Sequence, residues 1–116
     1  MTDLPLNPTR ILVVDDEPDT LLSVRLLLKR HFSSVELLSD PSRLPELVRQ
    51  GAFDVLMLDM NFSAGADSGA EGLEYLSRVL ALDPQAVVVL ITGHSGIDLA
   101  VEAMKRGAAD FVTKPW

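Results

Sequence analysis

Short, unbroken apolar runs alternate along this chain with stretches in which apolar residues recur every three or four positions. Ile11-Leu12-Val13-Val14 is a run of the first kind, and it suits a strand buried on both faces. Pro18 follows, placed for the first turn of a helix, and Leu21, Val24, Leu28 and Phe32 continue as one helical stripe. Val35-Glu36-Leu37-Leu38 predicts a second strand, bounded by Asp40-Pro41. A second helix turns Leu44, Leu47 and Val48 inward and ends at Gly51, a residue suited to a left-handed cap. Val55 to Leu58 is the third strand, stopping at Asp59, and Leu73, Leu76, Val79 and Leu80 mark the third helix. Val87 to Ile91 is the fourth strand. The polar loop Thr92-Gly93-His94-Ser95-Gly96 leads from it into a helix with Ile97, Ala100, Val101 and Met104 inward, closed by Gly107. Asp110 to Thr113 is the fifth strand, before Lys114-Pro115-Trp116. Residues 1–9 show no periodicity and carry two prolines, so they are expected to form a poorly ordered leader to a domain over 10–116.

Continuous apolar strands alternating with amphipathic helices imply a parallel sheet, covered on both faces by right-handed crossovers. The expected class is therefore α/β, a flavodoxin-like doubly wound sheet of five parallel strands in the order 2-1-3-4-5. In such sheets ligands bind beyond the carboxyl ends of the strands, where the strand order reverses. That rule selects Asp15, Asp16, Asp59, Thr92 and Lys114, each just past a strand.

Composition narrows the picture further. The 116 residues suffice for one domain with one core, and 47% apolar with 23% charged residues is the balance of a globular protein. The longest apolar runs are too short to span a bilayer, and no basic-then-apolar leader opens the chain, so cytoplasm is the expected location. No cysteine is present, which removes disulfides and thiolate metal sites. A net charge of −7, with scattered basic residues, argues against nucleic-acid binding by this segment.

Three carboxylates gathered at one sheet edge repel one another. At an effective dielectric of ~20, two charges ~4 Å apart cost about 4 kcal/mol. A cation must sit among them, and a few oxygen ligands with room for water and phosphate oxygens favour Mg²⁺ over a caged Ca²⁺. Lys114 would add a positive charge and Thr92 a hydroxyl donor. Together these residues describe a pocket for a phosphoryl group carried on a carboxylate.

The motifs Ile11-Leu12-Val13-Val14-Asp15-Asp16-Glu17-Pro18, Val55 to Asp59, Ile91-Thr92-Gly93-His94 and Asp110-Phe111-Val112-Thr113-Lys114-Pro115 resemble, in order and spacing, the receiver domains of two-component response regulators. The resemblance covers residues 10–116. It implies that Asp59 accepts a phosphoryl group from a sensor histidine kinase, with Asp16, Asp59 and the carbonyl of Asn61 ligating Mg²⁺ and Asp15 acting through water. It further implies that Lys114 and Thr92 bind phosphate oxygens, that Phe111 is a rotamer switch following Thr92, and that Lys114-Pro115 is cis. Such a domain is a phosphoacceptor switch rather than an enzyme acting on a separate substrate, and it controls an output domain. Receiver domains normally carry a fifth helix after the fifth strand. This chain ends before one, so apolar side chains of the last three strands should be partly bare, with a homodimer as one way of covering them.

One loop departs from the family. Residues 61–69, Asn-Phe-Ser-Ala-Gly-Ala-Asp-Ser-Gly, hold no Met-Pro pair and delay Gly72. That loop resembles a subset of enhancer-binding regulators, whose output is an ATPase and a DNA-binding domain, and residues 61–70 are expected to be mobile without metal or phosphate. Other readings fit parts of the pattern. Asp15, Asp16 and Glu17 suit a helix N-cap and its first-turn charges. Phe111 suits the core as well as a switch, and His94 suits an exposed loop as well as contact with phosphate. A dehalogenase-type phosphohydrolase also uses a strand-end Asp with Mg²⁺, but needs a carboxylate two residues on, where Asn61 stands. A receiver-like module that only binds partners would share the fold without the chemistry.

Overall fold

The computed structural model describes residues 6–60, 70–92 and 97–113. Five parallel strands, β1 (Asn7–Val14), β2 (Phe32–Leu38), β3 (Val55–Asp59), β4 (Val87–Thr92) and β5 (Asp110–Thr113), form one sheet in the order β2-β1-β3-β4-β5. Four α-helices intervene: α1 (Pro18–Leu28), α2 (Leu44–Gln50), α3 (Ala70–Leu82) and α4 (Ile97–Lys105). A single 3₁₀ turn, Pro41–Arg43, leads into α2, and the Asp40 carboxylate accepts the Ser42 amide hydrogen at its start.

Strand pleating sends alternate residues to opposite faces and so builds two cores. Leu12, Val14, Leu56, Leu58, Val88 and Leu90 belong to the core that α2, α3 and α4 cover with Leu44, Leu76, Val79 and Ala103. Ile11, Val13, Val35 and Ile91 belong to the opposite core, where α1 supplies Leu21 and Val24. On that second face Val55 and Met57 are only half-buried, and Val87 and Val112 remain 42% and 37% exposed. Among the described residues the apolar sheet is thus partly bare over its last three strands.

Three boundaries differ from the expectation. β1 begins at Asn7, which pairs with Phe32 before the register shifts towards Arg10, so residues 7–9 belong to the sheet and not to a loose leader. Arg10 is held there by Asp54, whose carboxylate accepts both its amide at 2.8 Å and its guanidinium at 3.1 Å. Phe32 does not extend α1. The helix tightens as Arg30 and His31 donate to the carbonyls of Leu27 and Leu28, and Phe32 opens β2 while still packing into the α1-side core.

α4 is turned differently from its sequence stripe. Ala100 and Ala103 are fully buried and Leu99 packs against the core, whereas Val101 and Met104 are 47% and 38% exposed. Small residues against the sheet let the helix approach closely, and the larger ones are carried outward. Of Ile97, also expected inward, only the helical backbone is described. Gly51 closes α2 with φ of 63°, in the left-handed conformation that favours glycine.

Candidate metal centre at the carboxyl edge of the sheet

Strand register brings the acidic residues together. Val14 pairs with Leu38 on one side and Leu58 on the other, so Asp15 lies level with Asp59, one residue further along each strand. One ligand oxygen from each of Asp15, Asp16 and Asp59 lies within 4.8 Å of the others. Asp15 is fully buried, Asp59 is 5% exposed and Asp16 is half-buried.

Local hydrogen bonding explains why the chain turns here. The Asp15 amide donates to the Leu38 carbonyl at 3.1 Å, prolonging the β1–β2 ladder, and its Oδ1 accepts the Glu17 amide at 3.0 Å. This aspartate turn carries the chain from the strand into α1, which starts at Pro18. Glu17 occupies the N-cap position without a side-chain capping bond, and its carboxylate instead accepts the Thr20 hydroxyl. The helix-cap reading of the acidic triplet therefore fails at its central requirement. Among the described residues the cluster comprises Asp15, Asp16 and Asp59, and Glu17 is turned to its own helix.

Asp59 ends β3 opposite Ile91, and the next amide, Met60, donates to the Ile91 carbonyl at 3.1 Å. Thr92, fully buried, ends β4 and pairs with Thr113, the residue before Lys114. Phe111 pairs with Leu90, two residues before Thr92, and so shares a sheet face with it. Half-buried, it packs against the core beneath α2, α3 and α4, which bears out its core role. Asn61, His94, the Lys114-Pro115 bond and the loop expected to be mobile up to residue 69 lie outside the described residues.

Partly withdrawn carboxylates that converge this closely fit a hard divalent cation. The donors are all oxygen, and a cluster offering one oxygen from each carboxylate leaves positions for water and phosphate oxygens, the coordination habit of Mg²⁺. The motifs did not single out the backbone that closes the far end of the following loop. The Gly72 amide donates to the Met60 carbonyl at 3.2 Å, directly beside Asp59. A glycine near the start of an otherwise good helix was the available signal.

A family model described as "Response regulator receiver domain" matches residues 11–116. This chain belongs to that family. The alginate biosynthesis transcriptional regulatory protein AlgB of Pseudomonas putida is 37% identical to the receiver domain over 94% of this chain, which spans 23% of AlgB. The response regulator protein PilR of Pseudomonas aeruginosa is 32% identical over 91% of this chain and 23% of its own length. Among solved structures, the N-terminal signal receiver domain of a response regulator from Bacteroides fragilis superposes with a TM-score of 0.82 at 42% identity, covering 95% of this chain and 87% of that one. The receiver domain thus spans about a quarter of the length of the curated regulators it matches. Family membership also replaces the phosphohydrolase reading.

Proposed function

We propose that this receiver domain is a Mg²⁺-dependent phosphorylation switch whose acceptor is Asp59. The observation that supports the reading is the gathering of Asp15, Asp16 and Asp59 within 4.8 Å at the carboxyl edge of a sheet of receiver topology. Asp59 ends β3, the central strand of the sheet, which lies between β1 and β4.

In the proposed reaction a carboxylate oxygen of Asp59 forms a bond to the phosphorus of a phosphohistidine on a sensor kinase. The P–N bond breaks, its electron pair stays on the imidazole nitrogen, and an acyl phosphate remains on Asp59. Mg²⁺, when bound, supplies neutralisation of charge on the phosphoryl oxygens. Asp16, Asp59 and the Asn61 carbonyl would hold it directly and Asp15 through water. Lys114 binds one phosphoryl oxygen and Thr92 another through its hydroxyl, and Phe111 follows the movement of Thr92. The domain catalyses its own phosphorylation and dephosphorylation without turning over a separate substrate. Among the described residues no helix is long and apolar enough to cross a membrane, and a cytoplasmic place beside the kinase suits the role. The output is transcriptional by analogy with AlgB, and an ATPase with a DNA-binding domain is its finer form.

Incubation with acetyl phosphate and Mg²⁺ tests the reading. Wild type gains one phosphoryl group by intact-mass measurement, and Asp59→Asn gains none. Modification retained in Asp59→Asn would move the acceptor elsewhere. A wild type that neither gains phosphate nor binds beryllofluoride would leave an interaction module without phosphotransfer chemistry.

A further inference from the structure

Gly72 stands in the first turn of α3, where glycine is the poorest helix former apart from proline, so helix propensity does not account for it. Its backbone does not account for it either, because the positive-φ glycines among the described residues are Gly51 and Gly107. Space does. A Cβ at Gly72 would lie 2.6 Å from the Met60 Cα, 2.8 Å from its carbonyl oxygen and 3.0 Å from its carbonyl carbon. All three are backbone atoms, so no rotamer change relieves the clash.

Met60 has little freedom to retreat. Its side chain is fully buried in the core under α3, its amide is bound to Ile91, and its carbonyl accepts the Gly72 amide at 3.2 Å. That carbonyl belongs to the peptide plane leading into Asn61, and the residue before it is Asp59. The hydrogen bond therefore closes the long loop at its root, whatever its length beyond.

We propose that Gly72 is a positioning residue for the metal centre. By letting α3 rest directly on the Met60 peptide, it fixes the Asp59–Met60 backbone at the position from which Asp59 reaches Mg²⁺. The role rests on the phosphorylation-switch reading above. Real Cβ contacts essentially never fall under 3.0 Å and ordinary ones begin at 3.4 Å, so with the nearest atom at 2.6 Å a methyl group demands a displacement of about 0.4 to 0.8 Å. Metal ligands tolerate about 0.5 Å, and Mg²⁺ demands near-ideal octahedral geometry, so a displacement of that size passed to Asp59 weakens the site.

Gly72→Ala should weaken Mg²⁺ binding, measured calorimetrically without phosphodonor, by about tenfold or more, the scale of supporting-shell changes at metal sites. Gly51→Ala is the control: it forces an L-residue into φ of +63° with nothing within 4 Å, so it lowers the melting temperature and leaves Mg²⁺ affinity unchanged. A folded Gly72→Ala that melts lower yet binds Mg²⁺ like wild type would show that α3 yields instead, and would overturn the proposal. Amide NMR of wild type decides the matter if Gly72→Ala does not fold. The Gly72 resonance should shift with Mg²⁺ at the same midpoint as that of Asp59, and an unmoved Gly72 resonance would overturn the role. Wild type without any Mg²⁺ response would instead overturn the functional reading on which it stands.

Discussion

Asp15 does two jobs with one side chain. Its Oδ1 ends the strand by accepting the Glu17 amide, and the same carboxylate faces Asp16 and Asp59 across less than 4.8 Å. Asp16 is the more solvent-facing of the two. This division predicts unequal consequences. Asp16→Ala should abolish calorimetric Mg²⁺ binding, whereas Asp15→Ala should weaken it less and also lower the melting temperature of metal-free protein through loss of the turn. Equal losses of affinity would remove the distinction between a direct ligand and a water-mediated one. Because Mg²⁺ binds the folded domain, ten times its dissociation constant should add ~1.4 kcal/mol of stability, which for a domain of this size moves the melting temperature by roughly 6 °C. Thermal melts with and without Mg²⁺ measure this, and Asp16→Ala should show no such rise.

The elements show how far periodicity can be trusted. In α4 the stripe Ile97, Ala100, Val101 and Met104 holds at Ala100 but fails at Val101 and Met104, because an apolar residue scores as inward whatever its size. The sheet receives Ala103 beside Ala100. Ala103→Leu should therefore overpack the core and cost ~1–3 kcal/mol, while Met104→Ala should change stability by no more than about 0.5 kcal/mol, both measured by urea unfolding. The reverse ranking would restore the original stripe. At the amino end of β1, Arg10 holds the Asp54 carboxyl below its ordinary value of 3.8 through a side-chain hydrogen bond, reinforced by the Arg10 amide. The folded value is depressed, so the stability from this pair is present above pH 3.8 and is lost as the pH falls through the folded value. Asp54→Asn should thus be less stable than wild type at pH 7, and the gap should close in strong acid. A gap independent of pH would mean that the contact is packing and not charge.

At the scale of the whole molecule, the two faces of the sheet are unequally covered. Among the described residues three helices close one, whereas α1 leaves Val55, Met57, Val87 and Val112 half-buried or exposed on the other. Apolar burial contributes ~25 cal/mol per Å², so covering roughly 400 Å² there is worth about 10 kcal/mol as an upper bound, comparable with the stability of a small domain. The domain should therefore self-associate in light scattering, covering that face with a second copy, and should melt higher as protein concentration rises. A monomer whose melting temperature is independent of concentration would show that the bare face carries no such penalty.

The sequence by itself determined the class and the identity of the acidic residues, because those depend on local periods and on residues that must follow a parallel strand, while the strand order came with the fold type that the motifs resemble. Register then gathered Asp15, Asp16 and Asp59 as expected. Other features were decided only by tertiary packing. Asn7 joins β1 because Phe32 lies beside it, a pairing between residues far apart in sequence. α4 rotates onto its alanines because the fit to the sheet rewards close approach over side-chain size. Gly72 leaves room for the Met60 backbone, just past β3, which comes within 2.6 Å of where its Cβ would lie. Local patterns record which residues prefer burial. They do not record which surface arrives to bury them or how much room it leaves.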